Sequence, residues 1–261
     1  MLDVTPYLHR ICYSGSTDPT RATLRALHRA HMLAVPFENL NIAIGRTIVL
    51  DEHLLIHKIV QERRGGFCYE LNGAFAALLR ALGFSVTLLS ARVARAQGDQ
   101  GPEFDHLALR VDLEEPWLAD VGFGDSFLDP LRLAPGIEQS DPAGNFRLSS
   151  IGEGLRMEKA DASGEWLPQY SFLLHPRRLE EFEGMCRYHQ TSPDSSFTQK
   201  SICSLAMPNG RITVSDMKLI ITENGRREER ALRSREERSA TLKEKFGIAE
   251  PSLFRSTHPK G

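Results

Sequence analysis

The sequence shows no excess of either charge, no long apolar run and no paired cysteines. Lysine plus arginine number 32 against 34 aspartate plus glutamate, so net charge points to neither a nucleic-acid nor a membrane-surface partner. No stretch approaches the roughly 18 apolar residues of a membrane span. The opening MLDVTPYLHRICYSG also lacks the basic and continuously apolar regions of an export signal. A cytoplasmic protein is the expectation. The four cysteines, Cys12, Cys68, Cys186 and Cys203, form no CxxC pair, which argues against both a disulfide framework and a zinc site. In a reducing compartment each is a free thiol. There is no internal repeat and no low-complexity segment.

What is present is enough chain, 261 residues of ordinary apolar and charged content, for one large domain or two to three small ones. The first third has helical periodicity. Asp18 and Pro19 resemble a helix start, and Leu24, Leu27 and Met32 continue a stripe that must end before Pro36. A second helix is expected over about Asp51 to Arg63, with Leu54, Leu55, Ile59 and Val60 inward. A third begins near Cys68, carries Leu71, Phe75, Leu78, Leu79 and Leu82, and ends at Gly83. After Gly83 the period becomes two: FSVTLLSARV, HLALRVDL and PWLADVGF read as strands, with shorter apolar runs around Phe146, Leu155 and Trp166. Pro193 opens a linker, SICSLAM and RITVSDMKLIIT read as two further strands, and a charged helix is expected over about Glu228 to Phe246. The resulting division is residues 1–83 helical, 84–190 β and 191–261 mixed.

Free cysteine is usually a small buried hydrophobe. Cys68 differs from the other three because RGGFCYELNGAFAALLRALG places it at the mouth of a helix, behind Gly65 and Gly66 and next to Arg63 and Arg64. Unpaired N–H groups, the helix dipole and positive side chains all favour a thiolate. Acyl transfer by a thiolate needs a base and a group to orient it. PEFDHLALRVDLEEPWLADVGFG supplies His106 on one strand and Asp120 on the next. Leu107, Leu109, Val111 and Leu113 form one apolar face, which turns His106 with Ala108 and Arg110 to the other. Asp120, between Ala119 and Val121, is costly to bury unpaired. Register supplies a test: a two-residue turn at Glu114 and Glu115 would put Asp120 on the wrong face, so the connection must be odd in length or one strand must bulge. His53 and His57 are four apart in EHLLIH, a spacing that can clamp a metal, but no third ligand accompanies them and no metal is expected. The charged helix near the end mixes both signs and reads as structural.

With these residues assembled, the sequence resembles the arylamine N-acetyltransferases. The resemblance is carried by PTRATLRALHRAHMLAVPFENLNI, RGGFCYELNGAFAALLRALGF, FDHLALRV and DVGFG, and is extended by SPDSSFTQKSICSLAMPNGRITV and LKEKFGI. It implies an α+β fold: an N-terminal helical bundle, a central antiparallel β-barrel and a C-terminal α/β lid around a cysteine-peptidase-like core. It implies Cys68 as acetyl-accepting nucleophile, His106 as base and Asp120 as orienting residue. Acetyl-CoA is the implied co-substrate, no metal is involved, and the acceptor is an arylamine or hydrazine acetylated in a ping-pong reaction. By position, Phe37, Val93 and Phe123 resemble the acceptor pocket, and Gly124, Ser196 and Phe197 the CoA cleft. Three other readings share these residues: an amide synthase closing polyketide macrolactams, a cysteine peptidase or transglutaminase-like enzyme, and a binding module with a dead site.

Overall fold

The computed structural model describes residues 2–95 and 98–249. Two helices open the chain, α1 (Thr5–Arg10) and α2 (Arg21–Ala34). The start of α2 is set by Thr20, whose hydroxyl accepts from Thr23 N at 3.2 Å. It is not set by the Asp18–Pro19 pair, because the Asp18 carboxylate is engaged by the Ser16 hydroxyl at 3.0 Å. A two-residue strand, β1 (Phe37–Glu38), follows, then α3 (Leu40–Ala43) and α4 (Glu52–Ile56). The second expected helix is correct in its start, where Asp51 caps Leu54 N at 3.0 Å. It does not run uniformly: residues His57–Gln61 widen into a π turn, and Leu54, expected inward, is 54% exposed. Helix α5 (Cys68–Ala81) is buried almost throughout and ends ahead of Gly83 as the pattern predicts.

Eight antiparallel strands then form a nearly closed, barrel-like sheet. In chain order they are β2 (Ser85–Val93), β3 (His106–Asp112), β4 (Pro116–Ala119), β5 (Leu131–Arg132), β6 (Glu138–Asp141), β7 (Gly144–Ile151), β8 (Gly154–Ala160) and β9 (Trp166–Phe172). Their order across the sheet is β5-β4-β3-β2-β9-β8-β7-β6. Strand β3 is buried on both faces: Leu107, Leu109 and Val111 pack with the helices, while Ala108 joins the barrel interior with Leu89, Leu118 and Tyr170. This double burial is what brings a barrel strand against α5.

A helix not expected from periodicity, α6 (Glu183–Thr191), lies in the stretch assigned to strands, and a single turn, α7 (Ser196–Gln199), follows it. The last sheet has the order β1-β10-β11-β12-β13, where β10 is Ile202–Met207, β11 Gly210–Ser215, β12 Lys218–Glu223 and β13 Arg226–Ala231. RITVSDMKLIIT is therefore two strands, split at Asp216 with φ of 50°. The expected start of the charged helix at Glu228 is also corrected, because Glu228 lies in β13. That edge strand is exposed at every position, so charge replaces the apolar alternation by which a strand is recognised. Helix α8 (Arg235–Phe246) begins one residue after Ser234, which caps Glu237 N at 3.2 Å. Among the described residues no helix is long and apolar enough to cross a membrane.

Candidate active site

Cys68 is the first residue of α5, and the loop before it is held by buried charge. Glu70 Oε2 accepts from Phe67 N at 3.2 Å, and Lys58 Nζ donates to Glu70 Oε1 at 2.6 Å. Arg64 Nη2 donates to Glu38 Oε1 at 2.8 Å, and Glu38 Oε2 accepts from Leu40 N at 2.7 Å. Burial raises the Glu70 carboxyl despite Lys58. For Glu38, burial acts upward too but is outweighed by Lys58 and Arg64, which hold it below its ordinary value. The expectation that Arg63 and Arg64 lower the Cys68 pKa is not met. Arg64 is committed to Glu38, Arg63 is exposed, and burial, with Asp120, Cys186 and Asp105, pushes the Cys68 thiol well up.

His106 stands at the head of β3 and lines the same cavity as Cys68. The connection between β3 and β4 holds three residues, Leu113 to Glu115, with Asp112 paired to Pro116 and Leu109 to Ala119. The odd count required by the sequence is met. Continued along both strands, that register sets Gly122 opposite His106, so Asp120, two residues earlier, shares its face. His106 Nε2 meets Asp120 Oδ2 at 2.8 Å, leaving Nδ1 as the ring's other proton site. The imidazole is wedged against Phe123 and Tyr170, with ring centroids 5.2 and 5.0 Å away.

Asp120 is fully buried and fully used. Its Oδ1 accepts from Asn72 Nδ2 at 2.8 Å and from Gly122 N at 3.0 Å. Burial alone would raise it, but His106 and these donors hold its carboxyl below the ordinary carboxylate value. Asn72 also donates to Leu107 O at 2.6 Å and accepts from Val121 N at 2.9 Å. His28 supports the same loop from behind. It bonds Leu128 O through Nδ1 at 2.7 Å and accepts Asp120 N at Nε2, 3.1 Å away.

Cys68, His106, Phe37, Val93 and Phe123 line one cavity of about 560 Å³, with Ser196 and Phe197 on its wall. Gly124 instead lines a neighbouring cavity of about 690 Å³, which shares only Phe37 and Phe123 with the first. The three residues matched to the CoA cleft thus divide between two spaces. Asp120 sits behind His106, outside the cavity lining. His53 and His57 are exposed, His57 Nδ1 lying 3.5 Å from Glu62 Oε1, and no metal-binding cluster occurs among the described residues.

Three contributors were not read from the sequence. Asn72 had a usable signal, since it lies one helical turn after Cys68 and so on the same face of α5. Gly122 was within the quoted DVGFG motif. A Cβ there would fall 2.8 Å from Cys68 Cα and 2.9 Å from Cys68 O, so only glycine lets the two backbones meet. Tyr170 gave no signal of its own.

A family model described as N-acetyltransferase matches residues 20–251. The chain is 36% identical to the chicken (Gallus gallus) arylamine N-acetyltransferase, pineal gland isozyme NAT-3, over 97% of this chain and 96% of that one. The chain belongs to the arylamine N-acetyltransferase family. Members of this family are acyltransferases. The Mycobacterium marinum arylamine N-acetyltransferase in complex with CoA superposes with a TM-score of 0.89 at 33% identity, covering 95% of this chain and 93% of that one. The chain is also 30% identical to the proansamycin X synthase of Amycolatopsis mediterranei, over 89% of this chain and 92% of that one.

Proposed function

We propose that the protein moves an acetyl group from acetyl-CoA to an arylamine or hydrazine in two steps, through an acetyl-cysteine at Cys68. In the first step His106 takes the thiol proton, the sulfur attacks the thioester carbonyl, and the bond from carbonyl to CoA sulfur breaks. CoA leaves as the thiol, with the proton returned by His106. In the second step the amine nitrogen attacks acetyl-Cys68, its proton passes to His106, and the cysteine sulfur departs and regains that proton as the amide forms. Thioester-to-thioester exchange is nearly neutral in energy, which suits a cysteine to the first step. An arylamine is uncharged at neutral pH, because its lone pair is delocalised into the ring, and asks of the base only one proton transfer.

The observation that carries this reading is the His106–Asp120 hydrogen bond of 2.8 Å in a cavity that Cys68 also lines. Asp120 acts by holding the ring with Nδ1 toward the reaction and by favouring the imidazolium that forms. The raised Cys68 thiol fits a sulfur that ionises by handing its proton to His106. Phe37, Val93 and Phe123 give the acceptor an apolar space. The adjoining cavity past Gly124, bordered by Lys159, Arg211 and Arg227, offers cations to the phosphates of CoA, in keeping with the CoA-bound M. marinum relative.

Intact-mass measurement after incubation with acetyl-CoA tests the first step. A gain of one acetyl group in the wild type, absent from Cys68→Ala, is expected, followed by its loss on adding an aromatic amine. A second reading, amide synthesis from a carrier-bound acyl chain, is favoured by the proansamycin X synthase relative. On that reading acetyl-CoA leaves the protein unmodified.

A further inference from the structure

The cavity that Cys68 lines contains a second carboxylate–imidazole pair, on the residue preceding His106. His189, in α6, places Nε2 3.2 Å from Asp105 Oδ1. Both residues line the cavity, at 7% and 9% exposure. Unlike the first pair, this one is not closed. His189 Nε2 is buried but not aligned with Asp105 for a hydrogen bond, and among the described residues no side chain or backbone N–H donates to the Asp105 carboxylate.

His189 Nδ1 lies 3.2 Å from Ser195 Oγ, and Ser195 Oγ accepts from Phe197 N at 3.3 Å. The acceptor-only Asp105 carboxylate beside Nε2 favours the tautomer with the hydrogen on Nε2, and the serine hydroxyl can then donate to Nδ1. Packing holds the ring in this orientation: Phe197 meets it edge-on at 5.2 Å and Tyr69 lies at 6.1 Å. A donor, Nε2–H, and a bare acceptor, the Asp105 carboxylate, therefore stand side by side in an otherwise largely aromatic space. The cavity's other charged side chains, Arg95 and Asp194, are exposed and opposite in sign, whereas this pair is buried.

We propose that His189 and Asp105 are specificity-determining residues that select acceptors carrying a hydroxyl group on the aromatic ring. A hydroxyl both donates and accepts. It can give its proton to Asp105 and take the hydrogen of His189 Nε2, which satisfies two groups that burial otherwise leaves unpaired. An acceptor lacking the hydroxyl leaves both unsatisfied, and sites built this way reject such analogues more strongly than apolar pockets reject an added group. This inference rests on the acetyl-transfer reading of the same cavity.

The test compares aminophenols with the matching anisidines, whose methyl ethers keep similar ring electronics but cannot donate. For the best-placed isomer, the wild type should favour the aminophenol by about tenfold or more in kcat/KM. His189→Leu and Asp105→Asn should bring that ratio to within about twofold of unity, and His189→Gln, which keeps a donor, should restore part of it. Equal use of aminophenol and anisidine by the wild type would overturn the proposal. So would variants that slow both acceptors alike and preserve the ratio, because that is the signature of packing alone. Mass measurement of Cys68 acetylation by acetyl-CoA in the same samples separates the two levels: an unmodified wild type counts against acetyl transfer itself. Calorimetric binding of the same aminophenol and anisidine to Cys68→Ala then still decides the selectivity, a preference supporting it and equal binding overturning it.

Discussion

Two carboxylate–imidazole pairs meet at one cavity, the first through His106 alone and the second through both members, and they are built to opposite specifications. In His106–Asp120 three donors are already spent on the carboxylate: Oδ2 holds the ring and Oδ1 accepts from Asn72 and Gly122 N. In His189–Asp105 the carboxylate accepts nothing among the described residues and the imidazole is anchored on its far side by Ser195. A carboxylate held by three donors on both oxygens keeps one orientation toward its imidazole. One without donors remains available to whatever enters. The difference shows that adjacency to an imidazole does not define a role; the number of donors already spent on the carboxylate does.

The largest effect that could break this contrast comes from neutralising each acid in turn. Asp120→Asn should lower turnover of every acceptor by about 10²–10⁴-fold, because an amide fixes the wrong His106 tautomer. Asp105→Asn should instead act selectively, lowering turnover of an aminophenol more than that of the matching anisidine. Similar losses in steady-state assays of the two variants would erase the distinction. A smaller effect sharpens it. Asn72→Ala strips a buried donor from Asp120 and leaves Val121 N unpaired, so urea unfolding should show a loss of roughly 1–3 kcal/mol. The aminophenol-to-anisidine ratio should stay unchanged, since Asn72 does not touch the second pair.

A further check is read from acid stability. Burial lowers the pKa of both His28, which backs the Asp120 loop, and His31 below the ordinary 6.5. The unfolded chain therefore binds protons at these residues at higher pH than the folded chain does. Stability is intact above about pH 6.5 and declines below it, by up to about 1.4 kcal/mol per pH unit for each histidine. Urea midpoints between pH 5 and 7 should fall with acidity, and a flat profile would contradict the burial of neutral imidazoles behind the first pair.

Much of this arrangement was legible in the sequence because local rules and chemistry agreed. The helix behind Cys68, the strands at Ser85–Val93 and His106–Asp112, and the odd-length connection to β4 all follow from periodicity and from the need to pair Asp120. Strand β13 was hidden because an exposed edge has no apolar face, and α6 was hidden among residues whose helical stripe is short. The second pair was not legible at all. Asp105 and His189 are far apart in sequence, and only the return of α6 over the start of β3 brings them together. Ionisation of Cys68 was misjudged for a related reason: Arg64 next to it in sequence turns away to Glu38.

Strand β1 carries a consequence for how the protein is made. Phe37 and Glu38 form an edge of the last sheet, paired with Ser204 and Cys203, while Phe37 also bridges to Gly66 beside the nucleophile. The two partners lie far apart along the chain, so the wall that Phe37 gives the cavity waits until β10 has been made. Until then the thiol has no finished chamber around it.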